Sequence, residues 1–181
     1  MKKTIFYVSV LTVLFSFVSC GNDDERLRKE IIGSYRYSNT NETANFQVSI
    51  DGVETFNEDG TVEDESLLSI VFSNEKLGEA SLTYRMKYTG TYEIENSYIL
   101  YDYSDVDDDG SLELLSAEGS KGSEVFIEEL SAQLESTLIP DIRERLTEEN
   151  AADIYELTKE KLVILNAMGQ EIVKVRIVGN N

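Results

Sequence analysis

Leu82-Thr83-Tyr84-Arg85-Met86-Lys87-Tyr88 alternates apolar or aromatic side chains with polar ones. A period of two puts Leu82, Tyr84, Met86 and Tyr88 on one face of an extended strand and Thr83, Arg85 and Lys87 on the other. The same reading extends outward. Thr91 to Glu95 and Tyr98 to Tyr103 form a strand pair that turns at Glu95-Asn96. Leu67 to Phe72 is nearly continuous in apolar residues, which predicts a strand buried on both faces. Ala44 to Ile50 alternates Phe46, Val48 and Ile50 against Asn45, Gln47 and Ser49. Asp51-Gly52 is read as a hairpin turn, with Val53 to Asn57 returning and Asp59-Gly60 as the next turn. Gly33 to Tyr37 opens the series with Tyr35 and Tyr37 on one face. Ile154 to Leu157, Leu162 to Asn166 and Glu171 to Ile177 close it through a turn at Met168-Gly169.

Between these strand groups the period changes. Ile127, Leu130, Leu134 and Leu138 are spaced by three and four, as on one face of an amphipathic helix. Ser123 suits the N-cap and Glu124 the positive helix end. Pro140 lacks the backbone donor and is expected to break or kink the helix. Ile142 and Leu146 carry the stripe into a second short helix ending near Glu149. The expectation is a mainly β chain of nine or ten strands with a helical insertion at about 123–149, forming an antiparallel barrel or a strongly curved sheet, because closure hides edge strands.

The amino-terminal end reads as a targeting segment. Lys2 and Lys3 precede an uncharged, mostly apolar run from Thr4 to Val18, too short for the ~30 Å hydrocarbon core. The only Cys, Cys20, follows Phe17-Val18-Ser19 and precedes Gly21. This stretch resembles a bacterial lipobox with Phe17 in the place of Leu. The resemblance implies cleavage before Cys20, with residues 1–19 as signal peptide, and lipidation of the Cys20 thiol. More than one acyl chain gives stable membrane anchoring. Asn22-Asp23-Asp24-Glu25 resembles the surface-export signal of lipoproteins in one large group of Gram-negative bacteria. It implies the outer face of the outer membrane. Residues 20–30 are expected to be the lipidated Cys and an acidic tether; a plain solvated run with no export role, the lipoprotein facing the periplasm, is the competing reading of the acidic stretch.

Charge and composition narrow the function. The chain has 16 Lys+Arg against 35 Asp+Glu, a net charge of −19 and no His. Such a surface repels phosphate backbones, so no nucleic-acid partner is expected. Without His there is no Ser-His or Cys-His pair. One Cys leaves no internal disulfide and no thiolate metal cluster. Glu63/Glu65, Glu128/Glu129 and Glu148/Glu149 are pairs that 35 acids produce by chance, and no Ser-x-x-Lys motif occurs. No enzyme activity is expected.

Three stretches together resemble the lipocalin-like domains of bacterial lipoproteins. They are Ile31-Ile32-Gly33-Ser34-Tyr35, in the place of an opening Gly-x-Trp strand; Thr55-Phe56-Asn57-Glu58-Asp59-Gly60-Thr61 with the later Thr89-Gly90-Thr91-Tyr92-Glu93-Ile94; and Tyr155 to Val163 with its closing hairpin through Gly169 to Ile177. The resemblance covers about residues 31–177 of a 31–181 domain. It implies an up-and-down barrel and a small apolar ligand. Tyr35 replaces the Trp, and the 123–149 insertion stands where a short loop is expected.

Two constellations are candidate sites. Tyr35, Tyr84, Tyr88 and Tyr92 are candidate ligand-binding residues, since an amphipathic ring offers stacking and a hydroxyl. Strand propensity accounts equally for their number. Asp105, Asp107 and Asp109, followed by Gly110, begin like a calcium loop. The Glu expected at loop position twelve is replaced by Ser116, so an acidic solvated turn is the competing reading. No other cofactor is expected. Three functions follow: a non-enzymatic membrane-anchored binding lipoprotein, a cell-surface lipoprotein docking a partner protein through the helical insertion, and a Ca²⁺-dependent adhesion module.

Overall fold

The computed structural model describes residues 23–74, 78–103, 112–119, 125, 127–132, 135–137, 150–166 and 169–178. A helix α1 (residues 23–31) leads into β1 (Gly33–Glu42), β2 (Phe46–Phe56), β3 (Thr61–Asn74), β4 (Gly78–Glu95), β5 (Tyr98–Asp102) and β6 (Leu112–Gly119). Helix α2 contains the described helical residues between 125 and 137. The chain closes with β7 (Asn150–Leu157), β8 (Lys161–Leu165) and β9 (Glu171–Arg176). The sheet order is β3-β2-β1-β9-β8-β7-β5-β4-β6, and an additional β3–β4 pairing closes a ring of eight antiparallel strands. This is the expected up-and-down barrel, with a helix before the last strands. β6 lies outside the ring. It pairs with Ala80–Met86 of β4, while Thr91–Glu95 of the same strand pairs with β5.

The barrel has unequal walls. β1 to β4 run for 10, 11, 14 and 18 residues. β5, β8 and β9 run for only 5, 5 and 6. The seam between β1 and β9 is correspondingly short, with the pairs Tyr35↔Arg176 and Arg36↔Val175 and the bond from Ile177 N to Ser34 O at 2.8 Å. The tall wall of β1–β4 and β6 therefore rises past the short one. Ile127 and Leu130 of α2 pack against the core there, and Tyr84 Oη lies 3.5 Å from Ser131 Oγ.

The opposite end is closed. Leu27 and Ile31 of α1 are buried with Tyr35, Phe56, Tyr92, Ile94, Ile99 and Leu162. Arg28 donates to Ile94 O at 2.9 Å, and the Asp24 carboxylate accepts from the backbone N–H of Asn96 (3.0 Å) and Ser97 (3.1 Å). The segment expected to be a tether is thus helical from residue 23 and packed into the domain. The reason is its Leu27-x-x-x-Ile31 spacing, which puts two apolar side chains on one helix face.

Three strand expectations are corrected. Asp51-Gly52 is not a turn. β2 runs straight through it, Asp51 pairing with Ser38 and Gly52 with Tyr37, and the chain reverses instead at residues 43–45. A Cβ on Gly52 would lie 2.6 Å from the Tyr37 ring and hydroxyl and 2.7 Å from Ser66 Cβ, so this Gly makes room rather than a bend. Leu67 to Phe72 is buried on one face only: Leu68 is 7% exposed and Ile70 3%, but Leu67 is 43% exposed. The β4–β5 turn lies at Asn96-Ser97, both with positive φ (54° and 67°), as a two-residue type I′ turn requires. β6 had no counterpart among the expected strands. The turn at Asp59-Gly60 forms as expected.

Candidate functional site

Inward positions of β1–β4 recur every second residue and are mostly apolar. Three strands break that rule at one level of the barrel: β2 with Glu54, β3 with Asp64 and Ser66, and β9 with Lys174. Among the described residues these are the buried polar or charged side chains, with exposures of 4%, 9%, 2% and 6%. Lys174 Nζ donates to Glu54 Oε2 at 2.5 Å and lies 5.3 Å from the centre of the Tyr37 ring. Tyr37 donates its hydroxyl to Asp64, 2.8 Å from Oδ2 and 3.0 Å from Oδ1. The rings of Tyr101 and Tyr103 are stacked at 5.8 Å, and Tyr103 meets Tyr88 edge-on at 6.4 Å. Tyr101 Oη and Ser66 Oγ are fully shielded and have no hydrogen-bond partner of normal geometry.

The electrostatics of this level follow from burial. Two carboxylates face one ammonium, and the ammonium is held by Glu54. Burial, and then the Glu54 charge, push the Asp64 carboxyl up from its usual 3.8 to about 6, against the opposing hydrogen bond from Tyr37. Burial likewise raises the phenols of Tyr37, Tyr101 and Tyr103, so they remain protonated donors.

Below the polar level lies the closed end. Tyr35 donates to Ile31 O at 2.9 Å and meets Phe56 edge-on at 5.9 Å. The Arg176 guanidinium sits over the Tyr35 ring at 4.7 Å, donates to Ile32 O at 2.8 Å, and also reaches Glu30 O and the Tyr35 hydroxyl. Gly33 has φ +137°, and a Cβ there would lie 3.0 Å from Arg176 Nη1; that glycine admits the guanidinium. Burial pushes the Tyr35 phenol up to about 12. Tyr92 donates to Asn57 O at 3.0 Å and packs on Phe56 at 5.0 Å.

Above the polar level the wall is apolar. Leu68, Ile70, Leu82, Tyr84 and Met86 are buried, and Phe46, Val48 and Ile50 are half-buried against them. A groove of about 490 Å³ runs between β6 and α2, lined by Leu114, Ala117, Ile127, Ser131 and Ala132, with Glu128 and Glu135 also along it.

The four sequence-predicted tyrosines therefore separate. Tyr35 and Tyr92 plug the closed end with both hydroxyls engaged. Tyr84 lines the upper interior, and Tyr88, opposite Asp64 in register, lies at the polar level. Cys20, Asp105, Asp107 and Asp109 lie outside the described residues. Among the described residues no three His, Cys, Asp or Glu side chains are grouped to hold a metal ion, and no helix is long and apolar enough to cross a membrane. The Glu54–Asp64–Lys174 level was missed. Its signal was available only in part: Glu54 interrupts an apolar inward series between Ile50 and Phe56, whereas Lys174 alternates with Val173 and Val175, which face outward at 45% and 56% exposure, so alternation alone would turn the lysine to solvent.

Compared with protein-family models and with curated proteins, the chain matches none. The class is therefore defined by architecture, a closed eight-stranded antiparallel barrel of lipocalin-like form.

Proposed function

We propose that this chain is a lipid-anchored, non-enzymatic binding protein that holds a small, largely apolar ligand inside its barrel. One observation carries the reading: an apolar upper wall stands over a level of buried charges and unpaired hydroxyls, beside a groove along α2. Interior polar groups that only filled space would cost stability unless fully paired. Ligand pockets combine an apolar lining with a few fixed polar groups in this way. The anchor is the Cys20 lipid of the lipobox-like sequence, and the surface of the outer membrane is the proposed location. Docking of a partner protein along α2 is the second reading, favoured by the exposure of Val125, Leu114 and Leu115.

The test is mass spectrometry of the full chain expressed in a Gram-negative host and extracted from membranes. Denaturing spectra should show a chain that begins at Cys20 and carries acyl groups, and Cys20→Ala should abolish both. Native spectra should show an added small mass that is lost on denaturation. A bare native mass together with a co-purifying protein that disappears on deletion of 123–149 would replace the first reading with the second.

A further inference from the structure

Resting on the proposed interior binding, we infer that the ligand carries a protonated amine, its ammonium seated against Asp64 and its apolar part lying along Ile50, Leu68 and Ile70. Two independent observations point the same way. The buried level holds Glu54 and Asp64 against Lys174 alone, and Lys174 is already committed to Glu54 at 2.5 Å. Among the described residues Asp64 accepts the Tyr37 hydroxyl at normal hydrogen-bond geometry, with the Ser66 hydroxyl beside it, although a carboxylate accepts about four. In addition, among the described residues, Ser66 Oγ beside Asp64 and Tyr101 Oη beside Glu54 are buried with no hydrogen bond of normal geometry. An ammonium brings a positive charge and three donors, so it supplies what the level lacks. A carboxylate ligand would add a third negative charge to the same enclosed space, where charge repulsion is poorly screened. A neutral apolar ligand would leave the hydroxyls unpaired.

Octylamine, octanol and octanoate share one chain length and differ only in the head group. Each is titrated into the full chain held in a lipid nanodisc, with empty nanodiscs as the blank, and stabilisation is read from the melting temperature. The expected result is a saturable rise with octylamine at a concentration at least tenfold below that needed for octanol, and no rise with octanoate. Asp64→Asn should bring octylamine down to the level of octanol. Equal effects of the three ligands, or a preference unchanged in Asp64→Asn, would overturn the amine assignment and leave interior binding standing. No effect from any of the three would overturn both. If Asp64→Asn does not fold, the wild-type chain is compared at pH 7.5 and pH 5. The titratable and charged groups facing Asp64 among the described residues are Glu54, Lys174, Tyr37, Tyr88, Tyr101 and Tyr103. The phenols of Tyr37, Tyr101 and Tyr103, raised by burial, stay protonated across that range, so protonation of Asp64 should shrink the advantage of the amine several-fold. An undiminished advantage at pH 5 would count against the assignment.

Discussion

Gly52→Ala puts one methyl group where the structure has no space. The new Cβ would lie 2.6 Å from the Tyr37 ring carbon and hydroxyl and 2.7 Å from Ser66 Cβ, closer than real Cβ atoms approach their neighbours. Gly52 has no positive φ, so Ala meets no backbone penalty there. The whole cost must come from packing. Forcing a methyl group into a filled interior costs roughly 1–3 kcal/mol. Displacing Tyr37 also strains its bond to Asp64, and a hydrogen bond to a charged group contributes roughly 1.5–3 kcal/mol. A loss of about 3 kcal/mol is expected, which at roughly 2–4 °C per kcal/mol for a domain of this size lowers the melting temperature by about 6–12 °C. Far-UV circular dichroism melts of the wild type, Gly52→Ala, Tyr37→Ala and the double variant form a double-mutant cycle. Removal of the Tyr37 ring should relieve the clash in part, so the double variant should be more stable than the sum of the single losses by at least about 1 kcal/mol. A Gly52→Ala change below about 2 °C, or strictly additive losses, would refute the reasoning. Additivity is what a glycine needed for a turn would produce, since a backbone penalty is indifferent to the neighbouring ring.

The folded-state pKa of Asp64, about 6, lies above its ordinary 3.8. The folded chain therefore holds this proton more tightly, and the group's contribution falls as pH rises from about 4 to 6 and is level outside that window. Relative to wild type, Asp64→Asn should gain about 2–3 kcal/mol between pH 4 and pH 7 in urea unfolding; parallel stability curves would exclude the shift. Lys174→Met strands the buried Glu54 carboxylate and should cost about 3–5 kcal/mol, whereas Lys174→Met combined with Glu54→Leu should return most of that loss. A double variant no better than the single would mean that the pair itself, not the uncompensated charge, sets the stability. Asp24→Ala removes the acceptor of the Asn96 and Ser97 N–H groups, and a loss of about 1–2 kcal/mol is expected in the same unfolding assay. A melting point unchanged in Asp24→Ala would return this end of the chain to the role of a tether.

Local sequence determined most of the strands and, for β4, the inward face. Leu82, Tyr84, Met86 and Tyr88 are all buried, as an alternation of period two requires. The helical period around Ile127 and Leu130 was equally legible, and both residues pack on the core. Each of these signals is carried by neighbours within one element. Tertiary structure decided the rest. It chose which glycines turn: Gly60 does, while Gly52 sits mid-strand because a ring from β1 and a side chain from β3 cross above it. It left Leu67 half in solvent, because only one face of β3 meets the interior. It drew α1 into the closed end through contacts with Ile94, Asn96 and Ser97, some seventy residues away. It also assembled the candidate site. Glu54 and Lys174 lie 120 residues apart in the chain, and Tyr37 and Asp64 lie 27 apart. Glu54 was visible as a polar residue in an apolar series, whereas Lys174 alternates with Val173 and Val175 and reads as outward-facing. That they meet at one level depends on the register around the whole ring, which no single strand encodes.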